Sequence, residues 1–111
     1  MSRLFIPNTC QVPNVIFDEV MPGLGSVALK VLIVIIRQTY GFNVAARQIG
    51  LDRLCKLSGL SRQGVVNGIK ELGNLLVVKR GPINSRVTNE YALNINISTG
   101  ELVTNLTSQI F

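Results

Sequence analysis

Residues 51–72 read Leu-Asp-Arg-Leu-Cys-Lys-Leu-Ser-Gly-Leu-Ser-Arg-Gln-Gly-Val-Val-Asn-Gly-Ile-Lys-Glu-Leu, and they leave the chain few folds to choose from. The pattern predicts two short helices joined by a tight turn at Gly59, Leu60 and Ser61. Gly59 stands where a helix must stop on a residue tolerant of positive φ. Ser61 stands where the next helix needs an oxygen to cap its free N–H groups. Val65, Ile69 and Leu72 follow at i, i+4 and i+7, a single apolar stripe for a core. The other faces carry Arg62, Gln63, Asn67 and Lys70, donors suited to phosphates and base edges. This is the pattern of a helix-turn-helix.

The flanking sequence supplies its frame. Ala28, Leu29, Leu32, Ile33, Val34, Ile35 and Ile36 predict a helix over residues 27–40, buried on nearly all sides at the centre of the domain. Burial there offsets the low helix propensity of its β-branched residues. Ser26 is expected to cap this helix and Gly41 to end it, with Arg37 favourably placed against its dipole. Pro13 suits the first turn of a shorter helix over residues 13–21, with Val15, Ile16, Val20 and Met21 as its apolar face and Pro22-Gly23 as its stop. Residues 47–49 are a candidate strand, and Gly50 can cap the first helix of the motif, with Asp52 in its first turn. Beyond Gly73-Asn74, residues 75–80 and 86–95 bracket a hairpin loop at 81–85. Tyr91, Leu93 and Ile95 alternate with Glu90, Ala92 and Asn94 as in a half-buried strand.

A hairpin directly after a helix-turn-helix is a wing. The expected fold is therefore mainly α with a small β-hairpin, a winged helix-turn-helix. Its expected organisation is an extended N-terminal segment at residues 1–12, the winged-helix domain over 13–96, and a tail or linker over 97–111. Ending on Ile110-Phe111 is odd for a solvated terminus, so the chain is expected to be part of a longer protein or to pack this tail on a partner.

Charge is unevenly placed along the chain. Of eleven Lys and Arg, eight lie from Arg47 to Arg86, against only Asp52 and Glu71 of the six carboxylates. The net charge of +5 is thus concentrated where the motif lies, as expected of a face presented to a polyanion. The absence of histidine excludes a His-based triad, general base or zinc ligand. Asp18 and Glu19 are adjacent and point to different faces of a helix, so no carboxylate pair suggests catalysis. Gly23-Leu24-Gly25-Ser26 lacks the Gly-Lys-Ser/Thr of a phosphate loop. No catalytic group, metal or cofactor is expected.

Cys10 and Cys55 do not form a disulfide framework; Cys55 reads as a small packing residue that lets two helices approach. The most apolar run, residues 27–36, is interrupted by Lys30 and is shorter than the ~20 residues a bilayer requires. With no secretion signal recognisable, a reduced cytoplasmic protein without a membrane partner is expected. The sequons at Asn96 and Asn105 carry no meaning without secretion.

The candidate contacts with double-stranded DNA follow from the motif. Ser61 opens a helix whose free N–H groups suit a phosphate. Arg62 and Gln63 would enter the major groove, with Asn67 one turn on. Gly64 and Lys70 belong to the same helix, and Lys79, Arg80 and Arg86 flank the wing tip. Gly64 and Gly68 cost roughly 1 kcal/mol each relative to alanine, which suggests a close approach, either by DNA or by another helix.

Gln11-Val12-Pro13-Asn14, the apolar helix ending Ile36-Arg37-Gln38-Thr39-Tyr40-Gly41-Phe42, and Leu57-Ser58-Gly59-Leu60-Ser61-Arg62-Gln63 occur in that order. Together they resemble the N-terminal domain of phage replication protein O, a winged-helix family. The likeness covers roughly residues 9–95, and the Arg-x-Thr-Tyr-Gly-aromatic stretch is its most specific piece. It implies binding to repeated origin sequences as a homodimer, with Ser61, Arg62, Gln63 and Asn67 on the recognition helix and Lys79, Arg80 and Arg86 on the wing. The segment after Ile97 resembles the start of a linker to a C-terminal region that recruits replisome and helicase-loading proteins, a region missing from this chain. The expected function is sequence-specific DNA binding at a replication origin by a phage or prophage initiator. Two alternatives stand beside it: a transcriptional repressor of the same fold, and a winged helix used for protein–protein assembly. The cationic Arg62, Lys70 and wing argue against the second.

Overall fold

The computed structural model describes residues 6–81, 88–96 and 99–103. Three α-helices, α1 (Ser26–Thr39), α2 (Leu51–Ser58) and α3 (Arg62–Leu72), are joined to three short strands, β1 (Ala46–Gln48), β2 (Leu76–Lys79) and β3 (Glu90–Leu93). The strands form one antiparallel sheet in the order β1-β3-β2. Mainly helical with a small sheet, the arrangement is compatible with a winged helix. α2 and α3 have the bounds the pattern predicts, and β1 lies one residue earlier than expected.

The chain enters through a short helical segment whose middle, Ile16–Val20, is a π-helix, with the Met21 N–H bonded to the Ile16 carbonyl. Val15, Ile16 and Val20 reach the core, but Met21 faces solvent, so the expected apolar face is one residue narrower. A 3₁₀ turn over Met21–Gly23 then leads to α1.

α1 is the spine of the core, but it is not buried on nearly all sides. Ala28, Val31, Leu32, Ile35, Ile36 and Thr39 are buried, whereas Lys30, Ile33 and Arg37 form an open stripe along one side. α3, α2 and the sheet cover the other sides only. Nor is Ser26 the cap: Gly25 is the N-cap, and its N–H donates to Glu71 Oε2 at 2.7 Å. A carboxylate from the end of α3 thus does for α1 what a capping-box glutamate does within one helix, and it sits where the helix dipole favours negative charge.

Gly41 does not end α1 either. The helix stops at Thr39, a 3₁₀ turn runs over Tyr40–Phe42, and the reversal falls on Asn43 at φ 57°. Asn tolerates the left-handed region better than most residues, which is why the turn can be made there.

The sheet register explains the alternation in β3. Leu76 pairs with Leu93 and Val78 with Tyr91, and these four point inward. Val77 opposite Ala92, and Lys79 opposite Glu90, occupy the other face. Ile95 continues the inward row and pairs with Leu102, where residues 99–103 fold back; the rest of the expected tail lies outside the described residues.

Candidate nucleic-acid interface

The turn between α2 and α3 is built as its residues predict. Gly59 ends α2 in the left-handed region at φ 75°, its N–H bonded to the Cys55 carbonyl at 2.9 Å. Ser61 caps α3, its Oγ accepting from the Gly64 N–H at 3.0 Å. Val65, Gly68 and Leu72 are buried, and Ile69 is partly so. The helix is therefore fixed in rotation, with Gln63, Asn67 and Lys70 on the opposite, exposed side.

Gly68 is explained by packing. A Cβ there would stand 2.8 Å from Val31 Cγ2 and 3.4 Å from the Val27 carbonyl oxygen, so α1 and α3 approach too closely for any side chain. The close approach is that of a helix, and Gly68 is buried against α1. Gly64 abuts the cap instead, where a Cβ would meet Ser61 Oγ at 3.2 Å and Leu60 Cβ at 3.5 Å.

The exposed polar residues of α3 are not loose. Gln63 Nε2 donates to Asn67 Oδ1 at 2.8 Å, which aligns the two amides one helical turn apart. Arg62 is paired with Asp52 in the first turn of α2. Their side chains are 68% and 90% exposed, so water screens the pair and it can open for another anion at little cost. Glu71, the one acid on α3, is held at the N-terminus of α1. Both acids of the basic segment from Arg47 to Arg86 are thus engaged.

At the sheet, Lys79 and Arg80 are exposed at the end of β2, and the Gly81 N–H donates to Asn89 Oδ1 at 3.2 Å, tying the end of β2 to the start of β3. Lys70 and Arg80 line one groove of about 420 Å³ between α3 and the sheet, floored by Val66, Ile69 and Val78. Arg86 lies outside the described residues.

A second basic group gathers where α1, β1 and α2 meet. Arg47 Nη1 and Arg53 Nε both donate to Gln38 Oε1, at 3.1 and 3.3 Å. The Arg37 and Arg47 guanidinium carbons lie 4.9 and 4.6 Å from the centre of the Phe42 ring, in cation–π range. Burial pushes the phenol of the neighbouring Tyr40 up, so it stays neutral at physiological pH.

A family model for bacteriophage replication protein O matches residues 9–99. The chain belongs to that family. The match takes in all three α-helices and all three strands, and it places the chain in phage replication. No curated protein and no solved structure gives a significant match. Among the described residues, no helix is long and apolar enough to cross a membrane.

For this member of the family, the structure exposes Gln63, Asn67 and Lys70 on one side of α3, sets Arg62 at the start of that helix toward Asp52, and exposes Lys79 and Arg80 at the end of β2. Sequence reasoning missed the group of Arg37, Arg47 and Arg53. One signal was available: from Val20 to Leu51 the chain has no carboxylate, so Arg37 and Arg47 have no nearby acid in sequence.

Proposed function

We propose that this chain binds double-stranded DNA in a sequence-specific way, as the origin-recognition part of a phage or prophage replication initiator acting in the cytoplasm. The observation that carries the reading is the outer side of α3. It offers Arg62, Gln63, Asn67 and Lys70, while its one carboxylate, Glu71, is drawn off to cap α1. Arg suits guanine and Asn or Gln suits adenine when a helix enters the major groove by its N-terminal end. The basic wing base supports it from the side.

Selection of bound duplexes from random DNA tests the reading. The expected result is one family of related sites, bound with an affinity that falls steeply as salt rises. Mapped back to the phage genome, those sites are expected as repeats in or beside a replication gene. Binding indifferent to salt, or selection that enriches nothing, would overturn DNA recognition. A single site at a promoter would move the reading to a regulator.

A further inference from the structure

We propose that Arg37, Arg47 and Arg53 form a second DNA-contacting site, which grips backbone phosphates beside the segment read by α3. The inference rests on the DNA-binding reading and adds to it a surface outside the recognition helix and the wing.

Three guanidinium groups converge from the end of α1, from β1 and from the first turn of α2. Among the described residues the one ion pair is Arg62 with Asp52, so none of the three arginines has a carboxylate partner. Like charges held this close repel, and fixed structure must hold them together. That structure is specific. Gln38 is 4% exposed and offers its Oε1 to two of the arginines, and Phe42 seats two of them. Arg37 also lies close over Gly41, where a Cβ would stand 2.5 Å from Nη1 and the flexible end of the arginine would have to shift.

The donors still free fit a phosphate. Arg37 makes its contact through the ring face, so its N–H edge is unused, and Arg53 donates only its Nε. A phosphodiester is also a better partner than a stacked base, because the Phe42 ring already carries two guanidinium groups. The position fits as well. Arg53 lies in the first turn of α2 beside Asp52, the residue that reaches Arg62 at the start of α3. In a helix-turn-helix the first helix crosses the backbone while the second enters the groove, and Arg53 lies on that first helix. Across the sheet, β1 with Arg47 and β2 with Lys79 form opposite edges. Backbone contacts at both edges would flank α3.

The test titrates the full chain onto its selected site within a longer duplex, over a range of salt. Arg37→Gln and Arg53→Gln are each expected to lower the slope of log affinity against log salt by about 0.9, and to weaken binding about eightfold at ~0.1 M salt. Preferred bases should not change, and Arg37→Lys should keep the slope. Arg53 is exposed on α2, so Arg53→Gln serves if Arg37→Gln fails to fold. Folded variants with wild-type slope and affinity would overturn the proposal, and if Arg62→Ala still weakens binding, the reading of α3 survives that result. Equal losses in Arg37→Lys and Arg37→Gln would show a packing role and overturn it too. A wild-type chain that binds no duplex would overturn both readings.

Discussion

The outer side of α3 and the arginine group around Phe42 are both basic, yet they are built in opposite ways. On α3, one helix supplies every group, and periodicity alone brings Gln63 and Asn67 together at 2.8 Å. Around Phe42, three elements each supply one arginine, and a buried amide and an aromatic ring hold them. The α3 groups are two amides, a lysine and an arginine paired to an acid, a set able to distinguish bases. The other group is guanidinium only, a set able to attract phosphate and blind to sequence. A surface of the first kind should change which site is bound, and one of the second kind how strongly any site is bound.

The largest effect is expected where α3 is seated. Gly68→Val would push a branched side chain into Val31 and the Val27 carbonyl, and overpacking of this kind costs about 1–3 kcal/mol. Urea unfolding should show a lower midpoint with an unchanged slope. No such loss is expected from changing Arg37 or Arg53, which are exposed. A Gly68→Val chain as stable as the wild type would mean that α1 and α3 can separate, and the rotation of α3 would lose its explanation.

Next come the groups that would read bases. Asn67→Ala and Arg62→Ala are each expected to weaken binding to the selected site by about 1–3 kcal/mol and to relax the preference at one position. Competition with single-base variants of the site measures this. Should Arg62→Ala weaken all sites alike, Arg62 would belong with the phosphate-binding group, and the division between the two surfaces would shift by one residue.

How much of each surface can be read from sequence follows the same division. The α2–turn–α3 unit is local: Gly59 must turn, Ser61 must cap, and Val65 and Leu72 share a face because a helix repeats every 3.6 residues. These facts are complete within residues 51–72. The arginine group depends on how the chain runs from the end of α1 to β1, and local sequence puts the reversal at Gly41. The turn falls instead on Asn43, and Gly41 lies under the Arg37 side chain. The cap of α1 shows the same limit. Ser26 was the local choice, but Glu71, distant in sequence, holds the Gly25 N–H. Gly68 could be recognised from sequence as anomalous, and only the crossing of α1 explains it.

That cap gives a smaller prediction. Glu71→Ala removes a charge-assisted bond to the Gly25 N–H and should cost about 1 kcal/mol, within the range of lost N-caps. It also removes an acid from α3, so DNA binding by the folded chain should hold or rise. Thermal unfolding and a binding titration on the same preparation separate the two. Lower stability together with weaker binding would imply that the cap also positions α3 for DNA.

The smallest change tests the boundary between the surfaces most directly. Asp52 is bonded to Arg62 and is the sequence neighbour of Arg53, so its charge lies between the elements that carry the two groups. The pair is exposed and should contribute little to stability, and Asp52→Asn also forfeits a favourable charge in the first turn of α2, so a loss below about 1 kcal/mol is expected. Binding should improve about threefold, the effect of deleting a unit negative charge ~7 Å from a phosphate in water. The improvement should be equal for the selected site and for unrelated duplexes, because the charge opposes the backbone and not a base. It should also fade as salt rises, since the interaction is screened. If Asp52 instead holds Arg62 in the pose that reads a base, Asp52→Asn would weaken the selected site alone. Asp52 would then be a positioning residue for recognition, and Arg62 would reach the base because α2 holds it there.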